Sequence, residues 1–391
     1  MPSGRRFLES KTLTVMSLVT EEGRAGSDRL ALDISKGLKR RGHRVILCAP
    51  SDYALKQEAD ESGLEMFSLP PWKSLHSVDL SSFIRFCKIE GVDIVNTHHS
   101  VGRHMLLKAK LRRLGPRTVF TRHCILRTLP YLGVFPHNFL VDMNIAVSEV
   151  VRRSLLRSGI LPKCAVTVYG GVERNKFVKI SEAAASVRER FGRLGALTIG
   201  MIARLQHGKK FSPEKPTLKG HEVIFRALAG LRNDVNLLLL GPWIEDDIRK
   251  LKLIAEANRF DAGKIVFCGF QEDIAPFYGI MDINVLPSPN EGLPLAIIEP
   301  MAAGVPCIGA DGGGIREIIT NGVDGFLFRP GDADDLAGKI RILYESRETR
   351  ELFVAKAKEK VREKFDIENT VLKTEKVFYQ LLMARKNAPQ T

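Results

Sequence analysis

The chain has 391 residues, of which 44% are hydrophobic and 27% are charged. This length suits about two domains, each able to bury its own core, and no segment approaches the ~18 apolar residues that cross a membrane. The apolar run after Arg5 and Arg6 is too short for a signal peptide. We therefore expect a cytoplasmic protein, and its net charge of +14 indicates an anionic partner.

The first half of the sequence alternates short apolar strands with amphipathic helices. Its predicted strands are Leu13–Val19, Arg44–Cys48, Ile94–Thr97, Thr118–Thr121 and Met143–Val147. Helical spacing of apolar residues lies between them, most clearly over Asp28–Arg41 and Val150–Ser158. Continuous apolar strands that alternate with helices predict a parallel sheet covered on both faces.

The second half repeats this alternation. Its predicted strands are Leu197–Ala203, Val235–Leu240, Ile265–Gly269, Ile283–Pro287 and Pro306–Ile308, and its predicted helices are Glu222–Leu231, Asp246–Ala257 and Pro294–Ala303. We predict an α/β protein of two facing, doubly wound Rossmann-like domains with a cleft between them. The domains are assigned to residues 1–180 and 181–372. A C-terminal helix in residues 373–391 is expected to pack back on the first domain.

The positive charge lies in the first half. Residues 1–180 carry 29 Lys and Arg against 16 Asp and Glu, whereas residues 181–391 carry 30 against 29. The first half matches no nucleic-acid-binding motif, so no nucleic acid is expected as a partner. An anionic membrane surface or glycolipid suits it better, and a solvated basic face is the alternative.

The six cysteines are scattered through apolar surroundings without a Cys-x-x-Cys pair. This spacing favours reduced thiols in a cytoplasm over a zinc site or a disulfide framework. The adjacent His98 and His99 lack the spaced partners of a metal site.

Two carboxylates, Glu291 and Glu299, flank a predicted junction between a loop and a helix. Pro294 suits the first helical position, where a missing N–H costs nothing, and the free amides of Leu295–Ile297 would form a pocket for an anion. An anion cradle between two carboxylates suits a nucleotide sugar. The alternative is a helix capped by Glu291 with Glu299 exposed, but Glu299 interrupts an apolar segment where a buried carboxylate needs a partner.

A series of motifs follows in the order of a known family. In the second half they are Ile202-Ala-Arg204-Leu205, Lys219-Gly220-His221, Ile265-Val-Phe-Cys-Gly269, Glu291-x7-Glu299, Met301-Ala-Ala-Gly-Val-Pro306 and Gly325-Phe-Leu-Phe-Arg-Pro-Gly331. In the first half they are Lys39-Arg-Arg-Gly42-His43-Arg-Val45, Thr121-Arg-His123, Ala146-Val-Ser148 and Gly170-Gly171-Val172. From about residue 12 to about residue 380, the chain resembles the GT-B glycosyltransferases of family 4, of the group 1 type.

The resemblance implies a retaining transfer of a sugar from a nucleotide diphosphate donor, without a cofactor and without a metal. Arg204 and Lys219 match the basic pair that neutralises the departing diphosphate. Glu291 and Glu299 match carboxylates that accept hydrogen bonds from the hydroxyls of the donor sugar and of the ribose. His123 matches a histidine near the reaction centre. The implied catalytic set is His123, Arg204, Lys219 and Glu291.

The resemblance also implies the residues that surround the donor. Gly26 and Ser27 lie where a glycine-rich loop lets the backbone approach the phosphate and the acceptor, and the residues after Cys268 would lie beside the nucleobase. The implied donor-binding set is Gly26, Ser27, Arg204, Lys219, Gly269, Phe270, Glu291, Gly292, Leu293, Pro294, Leu295, Ala296 and Glu299.

The sequence departs from the family pattern at several places: Gly26-Ser27 stands where a glycine pair is common, and Gly170 stands where asparagine is usual. The arginine and the lysine are usually separated by a few residues, but Gln206–Leu218 intervenes here. Lys209 or Lys210 could therefore bind the phosphate in place of Lys219, or the insertion could form a mobile cover. Pro300 should bend the helix that carries Glu299, because proline removes a helical hydrogen bond.

The segment Asp332-Ala-Asp334 looks like the Asp-x-Asp motif of metal-dependent transferases. It follows Pro330-Gly331 and opens a predicted helix, so an N-cap is the better interpretation.

Three functions remain open. The first is a glycosyltransferase at the inner face of the membrane that modifies an envelope glycolipid, such as lipopolysaccharide core or a lipid-linked intermediate. The second is the same chemistry on a small soluble acceptor. The third is a non-catalytic protein that binds a sugar nucleotide or a nucleic acid.

Overall fold

The computed structural model describes residues 11–71, 78–125, 138–178, 180–191, 197–203, 219–231 and 235–386. Arg204 and the insertion Gln206–Leu218 lie outside these residues. The chain divides into two compact units, Met1–Gly171 with Ile367–Thr391, and Val172–Asp366. The sequence had placed the corresponding boundaries at 180/181 and 372/373. The chain enters and leaves the second unit at adjacent points, because the Val172 N–H donates to the Phe365 carbonyl at 2.9 Å.

The first unit contains a parallel sheet of seven strands in the order β3-β2-β1-β4-β5-β6-β7. The strands are β1 (Thr14–Leu18), β2 (Arg44–Pro50), β3 (Glu65–Leu69), β4 (Ile94–Thr97), β5 (Arg117–Arg122), β6 (Met143–Ala146) and β7 (Ala165–Thr167). The helices are α1 (Gly26–Arg40), α2 (Lys56–Glu61), α3 (Leu80–Ile89), α4 (Ser100–Leu111) and α5 (Glu149–Arg157). The central strands are almost wholly buried, as their continuous apolar runs predict.

The second unit contains a parallel sheet of six strands in the order β10-β9-β8-β11-β12-β13. The strands are β8 (Leu197–Ile202), β9 (Val235–Leu240), β10 (Ile265–Gly269), β11 (Ile283–Leu286), β12 (Cys307–Ala310) and β13 (Phe326–Phe328). The helices are α6 (Ile180–Phe191), α7 (His221–Ala229), α8 (Glu245–Ala257), α9 (Ala275–Tyr278), α10 (Leu295–Ala303), α11 (Ile315–Ile318), α12 (Ala333–Glu345) and α13 (Arg347–Lys364).

Both sheets have the doubly wound order, and the predicted pair of Rossmann-like domains is confirmed. The strand order reverses between β1 and β4 in the first unit and between β8 and β11 in the second. Ligands of open parallel sheets bind outside the carboxyl ends of the strands at these switch points. The strands β3, β7 and β13 were not predicted, because they lie at sheet edges and lack long buried apolar runs.

The C-terminal helix, α14 (Ile367–Lys386), belongs to the first unit. A Cβ added to Gly37 of α1 would lie 2.3 Å from Val371, so the glycine lets the two helices approach closely. The Thr370 hydroxyl donates to the Tyr169 carbonyl at 2.8 Å, and the Tyr379 hydroxyl donates to the Lys11 carbonyl at 2.8 Å. These contacts attach α14 to the first unit.

All six cysteines are free, and all except the exposed Cys124 are buried. Burial raises the pKa of Cys87 to about 12, so this thiol stays protonated and unreactive. Among the described helices, none is both long enough and apolar enough to span a bilayer.

Candidate active site

The loop between β11 and α10 packs directly against a run of three glycines. The Gly314 N–H donates to the Glu291 carbonyl at 2.8 Å. A Cβ on Gly314 would lie 1.9 Å from the Gly292 oxygen, and one on Gly313 would lie 2.5 Å from the Glu291 oxygen. Because a side chain at either position would collide with backbone, the glycines determine the path of the Glu291 loop.

The first turn of α10 differs from the prediction at one position. Pro294 is the N-cap rather than the first helical residue, with φ −75° and ψ 117°. Its carbonyl accepts the Ile297 N–H at 3.1 Å, so the prediction that this amide is free is wrong. The amides of Leu295 and Ala296 have no hydrogen-bond partner in the described part of the chain, as expected for a first helical turn. Two free amides therefore remain for an anion.

Pro300 lies inside α10, and a neighbouring strand compensates for its missing N–H. In a regular helix that N–H would donate to the carbonyl of Ala296. Here the Ala296 carbonyl accepts instead from the side-chain amide of the buried Asn284, at 2.9 Å. The helix continues to Ala303 and ends at Gly304, whose φ is +90°. Asn284 is a supporting residue that was not predicted from the sequence.

Glu299 has a buried partner. The Tyr278 hydroxyl, at the end of α9, donates to the Glu299 Oε2 atom at 2.7 Å. Burial, and then the charge of Glu299, raise the pKa of Tyr278 well above its ordinary value, so the phenol remains a donor. The expectation that this carboxylate needs a partner is met by a residue 21 positions away.

Lys219 lies at the Glu291 loop. Its Nζ atom is 2.5 Å from the Glu291 Oε1 atom, and both side chains are largely buried. Gly220 has φ +75°, and a Cβ there would lie 2.7 Å from the Pro287 carbonyl oxygen. This close approach places Lys219 beside the end of β11. Lys209 and Lys210, the alternatives to Lys219, lie outside the described residues.

The residues expected beside the nucleobase lie at the end of an edge strand of the same sheet. Gly269, the last residue of β10, has φ +72°, and its carbonyl accepts the Gly241 N–H at 3.0 Å. A Cβ at Gly269 would meet no atom within 4 Å, so the space beside it is open. Phe270, which follows it, is half-buried. Both residues lie at the carboxyl edge of the sheet, as does the Glu291 loop.

In the first unit, four side chains form a hydrogen-bonded chain across the ends of β4 and β5. The Thr121 hydroxyl donates to Asn96 Oδ1 at 2.9 Å, and Asn96 Nδ2 lies 3.2 Å from His98 Nε2. His98 Nδ1 lies 3.1 Å from His123 Nε2. We call Thr121, Asn96, His98 and His123 the histidine relay.

The side-chain amide of Asn96 sets the tautomers of both histidines in the histidine relay. Because the Asn96 amide donates to His98 Nε2, the neutral His98 ring carries its proton on Nδ1 and donates to His123 Nε2. His123 must then carry its own proton on Nδ1. Burial, with a smaller effect of the Arg122 charge, lowers the pKa of His123 to about 4, so the ring is neutral at physiological pH. Its Nδ1–H is a fixed hydrogen-bond donor.

Gly26 and Ser27 lie in the first turn of α1, so the prediction of a glycine-rich loop at these residues is wrong. The Asp28 carboxylate accepts the Ala25 N–H at 3.0 Å and starts the helix there. The glycine with an unusual backbone in this turn is Gly23, with φ +85°. The Ser27 hydroxyl lies 3.1 Å from His99 Nε2.

Known proteins similar to this chain share both of its units. Family profiles for glycosyl transferases group 1 and for glycosyltransferase family 4 match residues 213–360 and 24–176, respectively. The chain is 25% identical to N-acetyl-alpha-D-glucosaminyl L-malate synthase of Bacillus anthracis, over 93% of this chain and 96% of that protein. It is 26% identical to the phosphatidyl-myo-inositol mannosyltransferase of Mycobacterium leprae, over 85% of this chain and 87% of that protein.

A solved structure has the same fold. Anabaena Alr3699/HepE in complex with UDP and glucose superposes with a TM-score of 0.78 at 19% identity, over 94% of this chain and 100% of that one. The chain belongs to the GT-B glycosyltransferases of family 4. It is an enzyme of that class.

One cluster of this glycosyltransferase has the composition of a metal site. Single ligand atoms of Glu21, Asp28 and His99 all lie within 4.8 Å of one another. However, His99 Nδ1 accepts the Thr20 N–H at 3.2 Å, so Nε2 carries the ring proton. That nitrogen donates to the Ser27 hydroxyl at 3.1 Å and lies 3.2 Å from Asp28 Oδ1, so it does not act as a metal ligand.

Asp332 has the structural role that the sequence predicts. Its side chain accepts the Asp335 N–H at 2.9 Å and caps the N-terminus of α12. Asp332 is therefore an N-cap, as predicted.

The supporting residues of the site were the hardest to find from sequence. Tyr278, Asn284 and Gly314 each contact a predicted site residue from a distant element. The only signal for the first two is a polar group within an otherwise apolar run. The glycine run that contains Gly314 predicts a loop but not the segment against which it packs.

Proposed function

We propose that this glycosyltransferase transfers a sugar from a nucleotide diphosphate donor, with retention of configuration and without a bound metal. The observation that supports this most directly is the Lys219–Glu291 pair, 2.5 Å apart, beside the N-terminus of α10. A cation and free helix amides suit a diphosphate, and a carboxylate suits sugar hydroxyls.

Each site residue then has one role. Lys219 and Arg204 stabilise the negative charge that develops on the leaving diphosphate, as a metal would in other enzymes. Glu291 and the backbone from Gly292 to Ala296 bind the donor, with Leu293 and Pro294 shaping the turn. Glu299, oriented by Tyr278, accepts from the ribose. The Nδ1–H of His123 donates to an oxygen near the reaction centre.

Retention follows if the acceptor attacks the face from which the diphosphate departs. The acceptor oxygen forms a bond to the anomeric carbon as the bond from that carbon to the diphosphate oxygen breaks. The acceptor proton passes to the departing diphosphate, so the charge is balanced without an enzyme nucleophile. In this scheme the enzyme contributes positioning and fixed positive charge.

The favoured acceptor is an envelope glycolipid, with the enzyme in the cytoplasm and peripheral on the inner face of the membrane. The first unit carries 30 Lys and Arg against 17 Asp and Glu, whereas the second carries 29 against 28. This asymmetry suits an anionic surface. The name of the M. leprae relative contains a phosphatidyl lipid, which also favours a lipid acceptor.

A small soluble acceptor is the second candidate. The relative from B. anthracis, which matches 93% of this chain, is named for a malate product. Malate is a small dicarboxylate, so an anionic soluble acceptor suits the basic first unit equally well.

Incubation with uridine, guanosine and adenosine diphosphate sugars, with and without a lipid extract, tests the enzymatic proposal. Release of the nucleoside diphosphate in the presence of EDTA is the expected result, and an Arg204→Ala variant should release it at least tenfold more slowly. No release from any donor would overturn the proposal. Flotation with anionic vesicles at low salt separates the two acceptor classes, because only the lipid-directed enzyme should bind them.

A further inference from the structure

Two arginines of the first unit lie at the carboxyl ends of β4 and β5. Arg122 is the last residue of β5 and precedes His123, and Arg103 lies in the first turn of α4. The Nε atom of each guanidinium is buried without a hydrogen bond. Within the described residues, neither side chain forms a hydrogen bond or an ion pair.

The acidic residues that follow Arg103 in the sequence form ion pairs with other basic residues. Between Arg103 and Lys163 the only acidic residues are Asp142 and Glu149. Asp142 pairs with Lys110 and Arg117. Glu149 pairs with Arg152 and Arg153 and accepts from Thr167. The segments of the first unit outside the description contain a single acidic residue, Glu9.

This arrangement is unfavourable for folding alone. A partly buried charge without a partner is destabilising, and two like charges near each other add repulsion. Burial, and then the charge of Arg103, lower the pKa of Arg122 to about 9, and burial lowers the pKa of Arg103. Both remain charged at neutral pH. A bound anion would supply the missing partner, and a guanidinium can bind a phosphate or carboxylate through two parallel hydrogen bonds.

We propose that Arg103 and Arg122 form a binding site for an anionic group, a phosphate or a carboxylate, of the acceptor. The site lies at the carboxyl ends of β4 and β5, where open parallel sheets bind their ligands. Within the basic first unit, this site is a specific pair of cations, one of which directly precedes His123 in the sequence. The assignment to the acceptor depends on the proposed function, but the binding of an anion does not.

Titration of the full-length chain with inorganic phosphate, followed by phosphorus NMR, tests the site directly. The variants are Arg103→Gln, Arg122→Gln and the double substitution. Arg112→Gln is the matched control, because it removes the same charge from an exposed position at the end of α4. Anion sites elsewhere contribute equally to all of these proteins.

We expect the double variant to bind phosphate at least tenfold more weakly than Arg112→Gln does. It should also unfold at the same or a higher temperature in the absence of phosphate, because two unpaired charges are removed. Arg122→Lys, which keeps the charge but not the planar fork, should bind with intermediate affinity. Equal phosphate affinity of the double variant and Arg112→Gln would overturn the proposal.

A second arm separates a lipid headgroup from a soluble anion. Flotation with phosphatidylcholine vesicles that contain phosphatidylglycerol should fail for the double variant, but not for Arg112→Gln, if the anion belongs to a lipid. If phosphate binding is lost and flotation is not, the anion belongs to a soluble acceptor. Donor turnover is measured separately. If the protein binds phosphate through the two arginines but does not turn over any donor, the proposed function is wrong and the anion site is still supported.

Discussion

The ammonium group of Lys219 lies 2.5 Å from Glu291 Oε1, which joins a residue before α7 to the loop before α10. The pair holds a cation and a carboxylate at one end of the second sheet. A donor that places its diphosphate at Lys219 and its sugar at Glu291 would contact both residues at once. In the proposed function, the pair would therefore connect the site of the leaving group to the site of the sugar.

Replacement of Lys219 by Gln should lower the rate of nucleoside diphosphate release by about 10²-fold, the typical effect of losing one group that stabilises developing negative charge. Lys219→Arg should retain part of the rate. The measurement is turnover with a saturating donor. Lys250→Gln, which removes a lysine ion-paired to Asp246 in the same unit, is the control and should be near wild type. Wild-type turnover by Lys219→Gln would transfer the role to another cation.

Tyr278→Phe should weaken nucleoside diphosphate binding roughly fivefold, because it removes one hydrogen bond that orients Glu299, worth about 1 kcal/mol. Calorimetric titration measures this change. Tyr379→Phe is the matched control, since the Tyr379 hydroxyl also donates one hydrogen bond, at 2.8 Å, but belongs to the first unit. Equal affinities for the two variants would argue against a role for Glu299 in donor binding.

Gly314→Ala should reduce turnover about 10²-fold through displacement of the Glu291 loop, since misplacement by about 1 Å can have that effect. The backbone of Gly314, at φ −74°, suits alanine, so the collision at 1.9 Å with the Gly292 oxygen is the cause. The control is Gly338→Ala in α12, where the added methyl meets open space. That change should stabilise the protein by about 1 kcal/mol and leave turnover unchanged.

Asn96→Asp should reverse the histidine relay. An ionised carboxylate only accepts hydrogen bonds, so His98 would carry its proton on Nε2 and His123 would be protonated on Nε2 instead of Nδ1. Nitrogen-15 NMR of the ring nitrogens reports both tautomers directly. We expect the wild-type His123 ring to stay neutral down to about pH 4. An Nδ1–H tautomer that persists in Asn96→Asp would contradict the relay.

Glu375 of α14 should make stability depend on pH. Burial raises its pKa, but hydrogen bonds from Arg41 and from His43, 2.7 Å away, outweigh burial and lower the pKa below the ordinary 4.5. The folded state therefore gains stability above pH 4.5 and loses it as the pH falls through the lowered pKa.

Thermal unfolding between pH 3 and pH 8 measures this effect. Glu375→Gln should unfold several degrees below wild type at pH 7, because a hydrogen bond to a charged group contributes about 2 kcal/mol. The difference should shrink below pH 4.5. Glu368 lies on the same helix as Glu375 and forms an exposed ion pair with Arg40. Glu368→Gln should therefore change the unfolding temperature little at any pH.

The strands and helices of the two sheets could be predicted because their patterns are local. Ile94–Thr97, Val235–Leu240 and Ile265–Gly269 have the predicted bounds, since a buried parallel strand is a continuous apolar run with polar flanks. The edge strand Glu65–Leu69 was missed because its burial is irregular.

The candidate site was only partly predictable. Spacing along the chain identifies Lys219, Glu291 and Glu299 as functional candidates, and the family pattern assigns their roles. Spacing does not reveal that Tyr278 orients Glu299, because the two residues belong to different helices.

The sequence by itself determined the α/β class, the two doubly wound sheets and the residues at the carboxyl ends of their strands, because hydrophobic periodicity and glycine placement act over a few residues. Only the tertiary structure decided which of those residues meet. Lys219 joins Glu291, and the proton on His123 is set by Asn96 through His98. Hydrogen bonds and ion pairs depend on distances of about 3 Å between side chains on separate elements, and such distances exist only once the sheets have formed.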